Sequence, residues 1–165
     1  MSNEIDAMPP AMTTQEALSL TGFEQINGIL MGRFAPPSIG TLMKYKMYAV
    51  TEGRVVFRST PDGTVLNPMG SVHGGWYGTV LDSAMACAVT TRVPKGCIAT
   101  TLEYKLNIIR PIPVGMMVEA IGETDHVGRS TGVAQGKIVG VENGRLYATA
   151  STTCMVIKLE PPKSS

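Results

Sequence analysis

The chain has 165 residues, of which 44% are hydrophobic and 16% charged, with a formal net charge of +1. That length suits one domain with a core of its own. The charges are few, balanced and interspersed, which excludes a basic stripe for nucleic acid and an acidic tail, and points to surface buried in an oligomer.

The N-terminus, MSNEIDAMPPAM, lacks the apolar stretch of a signal peptide. No apolar run approaches the roughly 18–20 residues of a membrane span. A cytoplasmic protein is expected. Its three cysteines, Cys87, Cys97 and Cys154, are odd in number and match no metal spacing, so they read as reduced thiols. Eleven methionines are many for this length; they fill a core or line an adaptable apolar pocket.

Residues 1–12 read as a flexible tail, 13–159 as a single domain and 160–165 as a polar tail. Thr13 and Glu16 have the spacing of a capping box and open a helix over about 14–31, interrupted at Gly22. This helix has no assigned task beyond capping a pocket or an interface. TLMKYKMYAVTEGRVVFRSTP follows, two strands about a Glu-Gly turn, with Met43, Tyr45, Met47 and Ala49 on the apolar face. DGTVLNPMGSVHG is a loop rich in Gly, Pro and Asn. A helix over about 74–91 is apolar nearly all round and therefore buried on most sides. Four long strands complete the chain, the first over about 99–110, with turn signals at Gly115, Val127-Gly128 and Asn143-Gly144. The predicted class is α+β, a curved, mostly antiparallel sheet wrapped around one long central helix, plus an N-terminal helix.

Asp82 lies inside that apolar helix, on a stripe with Gly75, Gly78, Thr79 and Ala86. A buried carboxylate needs a partner, a wet cavity or a chemical task. The stripe is either close helix packing or room for a ligand. Upstream, His73-Gly74-Gly75 opens the helix, where the first N–H groups lack intrahelical acceptors and glycine lets a carbonyl approach, as an oxyanion hole requires. His73 itself reads more readily as a structural residue at the helix entrance. Eight residues of helix separate Gly74 from Asp82 by about 12 Å. One reacting group reaches both only if two copies of the helix lie antiparallel, which a C2 dimer with two composite sites provides.

The run NPMGSVHGGWYGTVLD, residues 67–82, with the downstream TTLEYKLNIIRPIPVG, resembles the hotdog-fold acyl-coenzyme A thioesterases. It is most similar to the phenylacetate-pathway and 4-hydroxybenzoyl-CoA type that carries a His-Gly-Gly motif, over roughly residues 40–157. The resemblance implies hydrolysis of an acyl-CoA to free acid and coenzyme A, with Asp82 as nucleophile or general base. Gly74 N–H would bind the thioester carbonyl, and Asn67 would polarise that carbonyl or orient water. Thr101, or else Thr100, would assist the water, and Gly75 would lie against substrate. Where some members carry a Thr one turn after the acid, this chain has Ala86, which favours the strand hydroxyl. The mechanism asks for neither metal nor redox cofactor. The partners implied are acyl-CoA and a second copy of the chain, the homodimer pairing further into a tetramer.

Arg110 and Arg129 are candidates for the CoA phosphates, or else solvated loop charges. Trp76, Tyr77 and Met85 line an acyl channel or, for most of them, the core. Aryl, short-chain and medium-chain acyl groups all stay open. The alternatives are a non-catalytic acyl-CoA or lipid-binding hotdog protein and a hotdog hydratase or dehydratase, whose usual Asp-His pair HGGWYGTVLD does not resemble.

Overall fold

Two capping boxes start the described chain. In this computed structural model, which describes residues 8–161, Thr13 caps helix α1 (Thr14–Ser19) and Thr21 caps helix α2 (Gly22–Leu30). In each, the threonine hydroxyl accepts the N–H of a glutamate three residues on, whose carboxylate returns to the threonine N–H. The helix expected over about 14–31 with an interruption at Gly22 is two helices, the break falling at Leu20–Thr21, because Thr21-Glu24 repeats the box of Thr13-Glu16. Buried Gln25 ties them down, its amide reaching the carbonyls of Ala17 and Cys97. Residues 1–7 and 162–165, within the two expected tails, lie outside the described residues.

A short helix α3 (Ser38–Leu42) takes up Thr41 and Leu42, which the sequence suggested opened a strand, and β1 (Tyr45–Thr51) begins only after it. Lys44, at φ +58°, makes the corner. Strand β2 (Arg54–Ser59), the central helix α4 (Gly74–Thr90), β3 (Cys97–Ile108), β4 (Val118–Val127), β5 (Thr131–Gly140) and β6 (Leu146–Lys158) follow. The six strands form one antiparallel sheet in the order β1-β2-β4-β5-β6-β3, as the α+β reading expected.

The sheet wraps α4. Val80, Leu81, Met85 and Val89 are buried against it, each contributing about 1.5–3 kcal/mol. Trp76 and Tyr77 are core as well, and both polar tips are satisfied. Trp76 Nε1–H donates to Met43 O at 3.0 Å, and Tyr77 Oη accepts the Ile112 N–H at 2.8 Å. Helix and sheet approach so closely that a Cβ at Gly122 of β4 would sit 2.2 Å from Ala84 O. Among the described residues no helix is long and apolar enough to cross a membrane.

Strand β3 is an edge strand with a bulge: Thr101 pairs with Cys154 and Glu103 with Thr153, leaving Leu102 as the extra residue. A bulge reverses which parity faces the core. Before it Thr101 points to α4; after it Tyr104 and Ile108 do, close to Gly78 and Gly74.

Candidate active site

His73 is the N-cap of α4, and its Nδ1 accepts the Gly75 N–H at 2.9 Å. Its carbonyl receives Trp76 N–H at 2.9 Å. The Gly74 N–H, at the first helical position, meets no acceptor among the described residues. The His-Gly-Gly sequence thus divides its donors. The second glycine is capped by the histidine, and the first is left at the positive end of the helix.

The loop before the helix is closed by its own hydrogen bonds. Asn67 N–H donates to Ser71 O, Leu66 bridges to Val72, and His73 N–H donates to Val65 O. Asn67 Oδ1 accepts from Met69 N–H (2.9 Å) and Ser71 N–H (3.1 Å). Its side chain is an Asx turn that fixes the loop, with the amide NH2 still to donate. Asn67, Gly74, Tyr77, Ile108 and Arg110 line one cavity of 340 Å³.

Asp82 lies two turns along α4, half-buried, where Thr101 Oγ1–H donates to its Oδ1 at 2.7 Å. Thr100, its neighbour on β3, is exposed and points to the other face of the strand, away from Asp82. Asp82 lines a second, larger cavity of 770 Å³, most of whose walls are apolar. Ser83 lines it too, hydrogen-bonded to Tyr45 Oη at 2.7 Å. Burial raises the Tyr45 phenol above its ordinary value, so the pair is a neutral contact of two hydroxyls. Burial, with the Asp82 charge behind it, pushes the Cys87 thiol up to about 12, so the cysteine in this cavity is a protonated wall and not a nucleophile.

Within one chain, then, the expected site residues fall into two groups. Asn67, Gly74 and Arg110 share the smaller cavity, and Asp82 with Thr101 stands at the larger. Arg129 lies in the β4–β5 turn, lining neither; Thr131, two residues on, pairs with Met155, which pairs with Thr100. Arg110 and Arg129 therefore sit at opposite ends of the sheet. Tyr45 and Ser83 were not legible as site residues, because they meet across 38 positions and neither carries a motif.

Residues 69–147 match the family model described as the thioesterase superfamily. The six-stranded antiparallel sheet around α4, with this segment at its centre, is a hotdog fold. A variant of the phenylacetic acid degradation protein PaaI from Thermus thermophilus is 26% identical, covering 72% of this chain and 97% of its own, with a TM-score of 0.65. The PaaI protein from the phenylacetic acid degradation operon of E. coli is 22% identical, covering 85% and 96%, with a TM-score of 0.72. A thioesterase from Haemophilus influenzae is 23% identical, covering 78% and 88%, with a TM-score of 0.70. The match begins at Met69 and takes in both His73 and Asp82. Helices α1 to α3 precede the matched segment.

Proposed function

We propose that this protein hydrolyses acyl-coenzyme A thioesters to the free acid and coenzyme A. The observation that carries the reading is Asp82, a half-buried carboxylate on the wall of an apolar cavity, oriented by Thr101 at 2.7 Å. It stands on the helix whose first N–H, at Gly74, is unpaired among the described residues. The thioester carbonyl accepts the Gly74 N–H and the Asn67 amide. Asp82 draws a proton from water, or attacks the carbonyl to give a mixed anhydride that water then cleaves, and coenzyme A leaves as thiolate. His73 positions by capping Gly75.

The two groups come together in a homodimer, Gly74 of one protomer facing Asp82 of the other, because one helix holds them about 12 Å apart. The free edge of β3 supports this assembly. It is a twelve-residue strand whose outer edge pairs with no strand among the described residues, and it exposes Leu102 and Tyr104, 57% and 44% accessible, where an uncovered edge is a liability. Two such dimers back to back give the tetramer. Arg110, which lines the same cavity as Gly74, is the candidate cation for the coenzyme A portion of the substrate.

Thiol release from an acyl-CoA panel tests the reading. Asp82→Asn is expected to lower kcat by about 10²–10⁴-fold, the range for a positioned base, with an unchanged circular dichroism spectrum. An Asp82→Asn variant as active as the parent would refute it.

A further inference from the structure

The wall of the larger cavity comes in part from outside the matched thioesterase segment. Ile29 and Leu30, at the end of α2, line a 770 Å³ space together with Met47 of β1, Phe57 of β2, and Asp82 and Ser83 of α4. We propose that this chamber takes the acyl group of the thioester, and that residues 29–47 set the chain length accepted, favouring medium-chain unsubstituted hydrocarbon over acetyl-sized groups. The proposal rests on the hydrolysis argued above.

Three observations carry it. The first is position: Asp82, the group that reaches the reacting carbonyl, stands on the chamber wall, so the acyl tail beyond that carbonyl extends into the chamber. The second is volume and chemistry. Counting about 30 Å³ per small group, the share a water takes in the liquid, an acetyl group leaves most of the 770 Å³ unfilled. Apolar walls favour hydrocarbon there over water. The Tyr45 and Ser83 hydroxyls satisfy each other, so this pair asks for no polar substituent. The third is that the wall is built before substrate arrives. The corner between α3 and β1 holds Lys44 at φ +58°, a left-handed conformation costly for a side chain with a Cβ. Ser59 Oγ–H donates to Lys44 O at 2.7 Å, Trp76 Nε1–H donates to Met43 O, and the Lys44 ammonium pairs with Asp62. Met47, on this pinned strand, supplies the adaptable contact.

Two measurements on the full chain test it. The first is hydrolysis of acetyl-, butyryl-, octanoyl- and lauroyl-CoA by thiol release. The second is calorimetric affinity for S-butyl-, S-octyl- and S-dodecyl-CoA, thioethers that cannot be hydrolysed. The expected result is kcat/KM at least tenfold higher for octanoyl than for acetyl, and thioether affinity rising up to about fourfold per methylene buried. Leu30→Trp lowers the octanoyl-to-butyryl kcat/KM ratio tenfold or more. Ile29→Trp serves the same purpose if the first variant misfolds, and the thioether series on the unaltered protein decides if both do. Affinity independent of chain length, or a ratio unmoved in a folded variant, overturns the proposal. Thioether affinity that climbs with length while no thioester is cleaved sinks the hydrolase reading and leaves the chamber standing. Cleavage without length dependence does the reverse.

Discussion

Asp82 and Thr101 are nineteen positions apart and meet at 2.7 Å through a single hydrogen bond. Thr101 holds the carboxylate in one orientation, so under the proposed hydrolysis it acts as a positioning residue whose loss shows in turnover. Thr101→Val should lower kcat about tenfold with KM within about twofold, the signature of an interaction made mainly in the transition state, and Thr101→Ser should restore most of it. A Val variant that only melts earlier, with kcat intact, would assign the bond to stability alone. Cys87 gives a second, pH-dependent expectation. Its thiol ionises only near 12 in the folded protein, against an ordinary value of 9.0. The neutral thiol therefore favours the fold fully below pH 9, and that contribution is lost as pH climbs from 9 towards 12. Iodoacetamide at pH 8 should label Cys87 far more slowly in the native protein than in denaturant, read by peptide mass spectrometry, and Cys87→Ala should flatten the alkaline decline in Tm. The Asp82–Thr101 pairing was legible as one of two choices, Thr100 or Thr101. Strand parity decided it, and parity at one position cannot be read without the strand's partner.

At the scale of elements, α4 was readable because an apolar surface on every side of a helix means burial on most sides, and the His-Gly-Gly marked its start to the residue. The N-terminal region was less so. Thr21-Glu24 is a capping box as plain as Thr13-Glu16, yet Gly22 looked like a break in one helix when it is the first residue of the next. Thr21→Ala should cost about 1 kcal/mol, measured as a fall in the urea midpoint. The bulge at Leu102 had no signal of its own. The alternation of β3 changes parity there, and only pairing with β6, where Thr101 and Glu103 take adjacent partners, reveals the extra residue. Its consequence is that Thr101 on one side, and Tyr104 and Ile108 on the other, all reach α4. Gly122→Ala tests the contact on the opposite flank. A methyl group 2.2 Å from Ala84 O must push α4 away from β4, a cost of about 1–3 kcal/mol or more that thermal unfolding would register.

For the whole molecule the decisive expectation is assembly. If each site joins Gly74 of one protomer to Asp82 of another, Asp82→Asn and Gly74→Pro are each inactive alone. Proline fits the first helical position, so the second variant loses the N–H while keeping the helix. After co-refolding, half-and-half mixtures should recover about a quarter of the sites by random pairing in a C2 dimer. No recovery, from a mixture shown to exchange subunits, would place both groups in one chain. Tyr104→Lys, on the exposed edge, should shift the size-exclusion profile to smaller species. By itself the sequence determined the antiparallel sheet, the buried helix, the segment that holds the His-Gly-Gly and Asp82, and the thioesterase resemblance. These follow from local periodicity, turn chemistry and a contiguous motif, each contained within a few tens of residues. Only the tertiary structure decided that His73 takes the Gly75 N–H and leaves that of Gly74, that Thr101 faces Asp82, and that α2, β1 and β2 enclose the chamber beside it. Those outcomes depend on strand register and on contacts between distant segments, which no local pattern encodes.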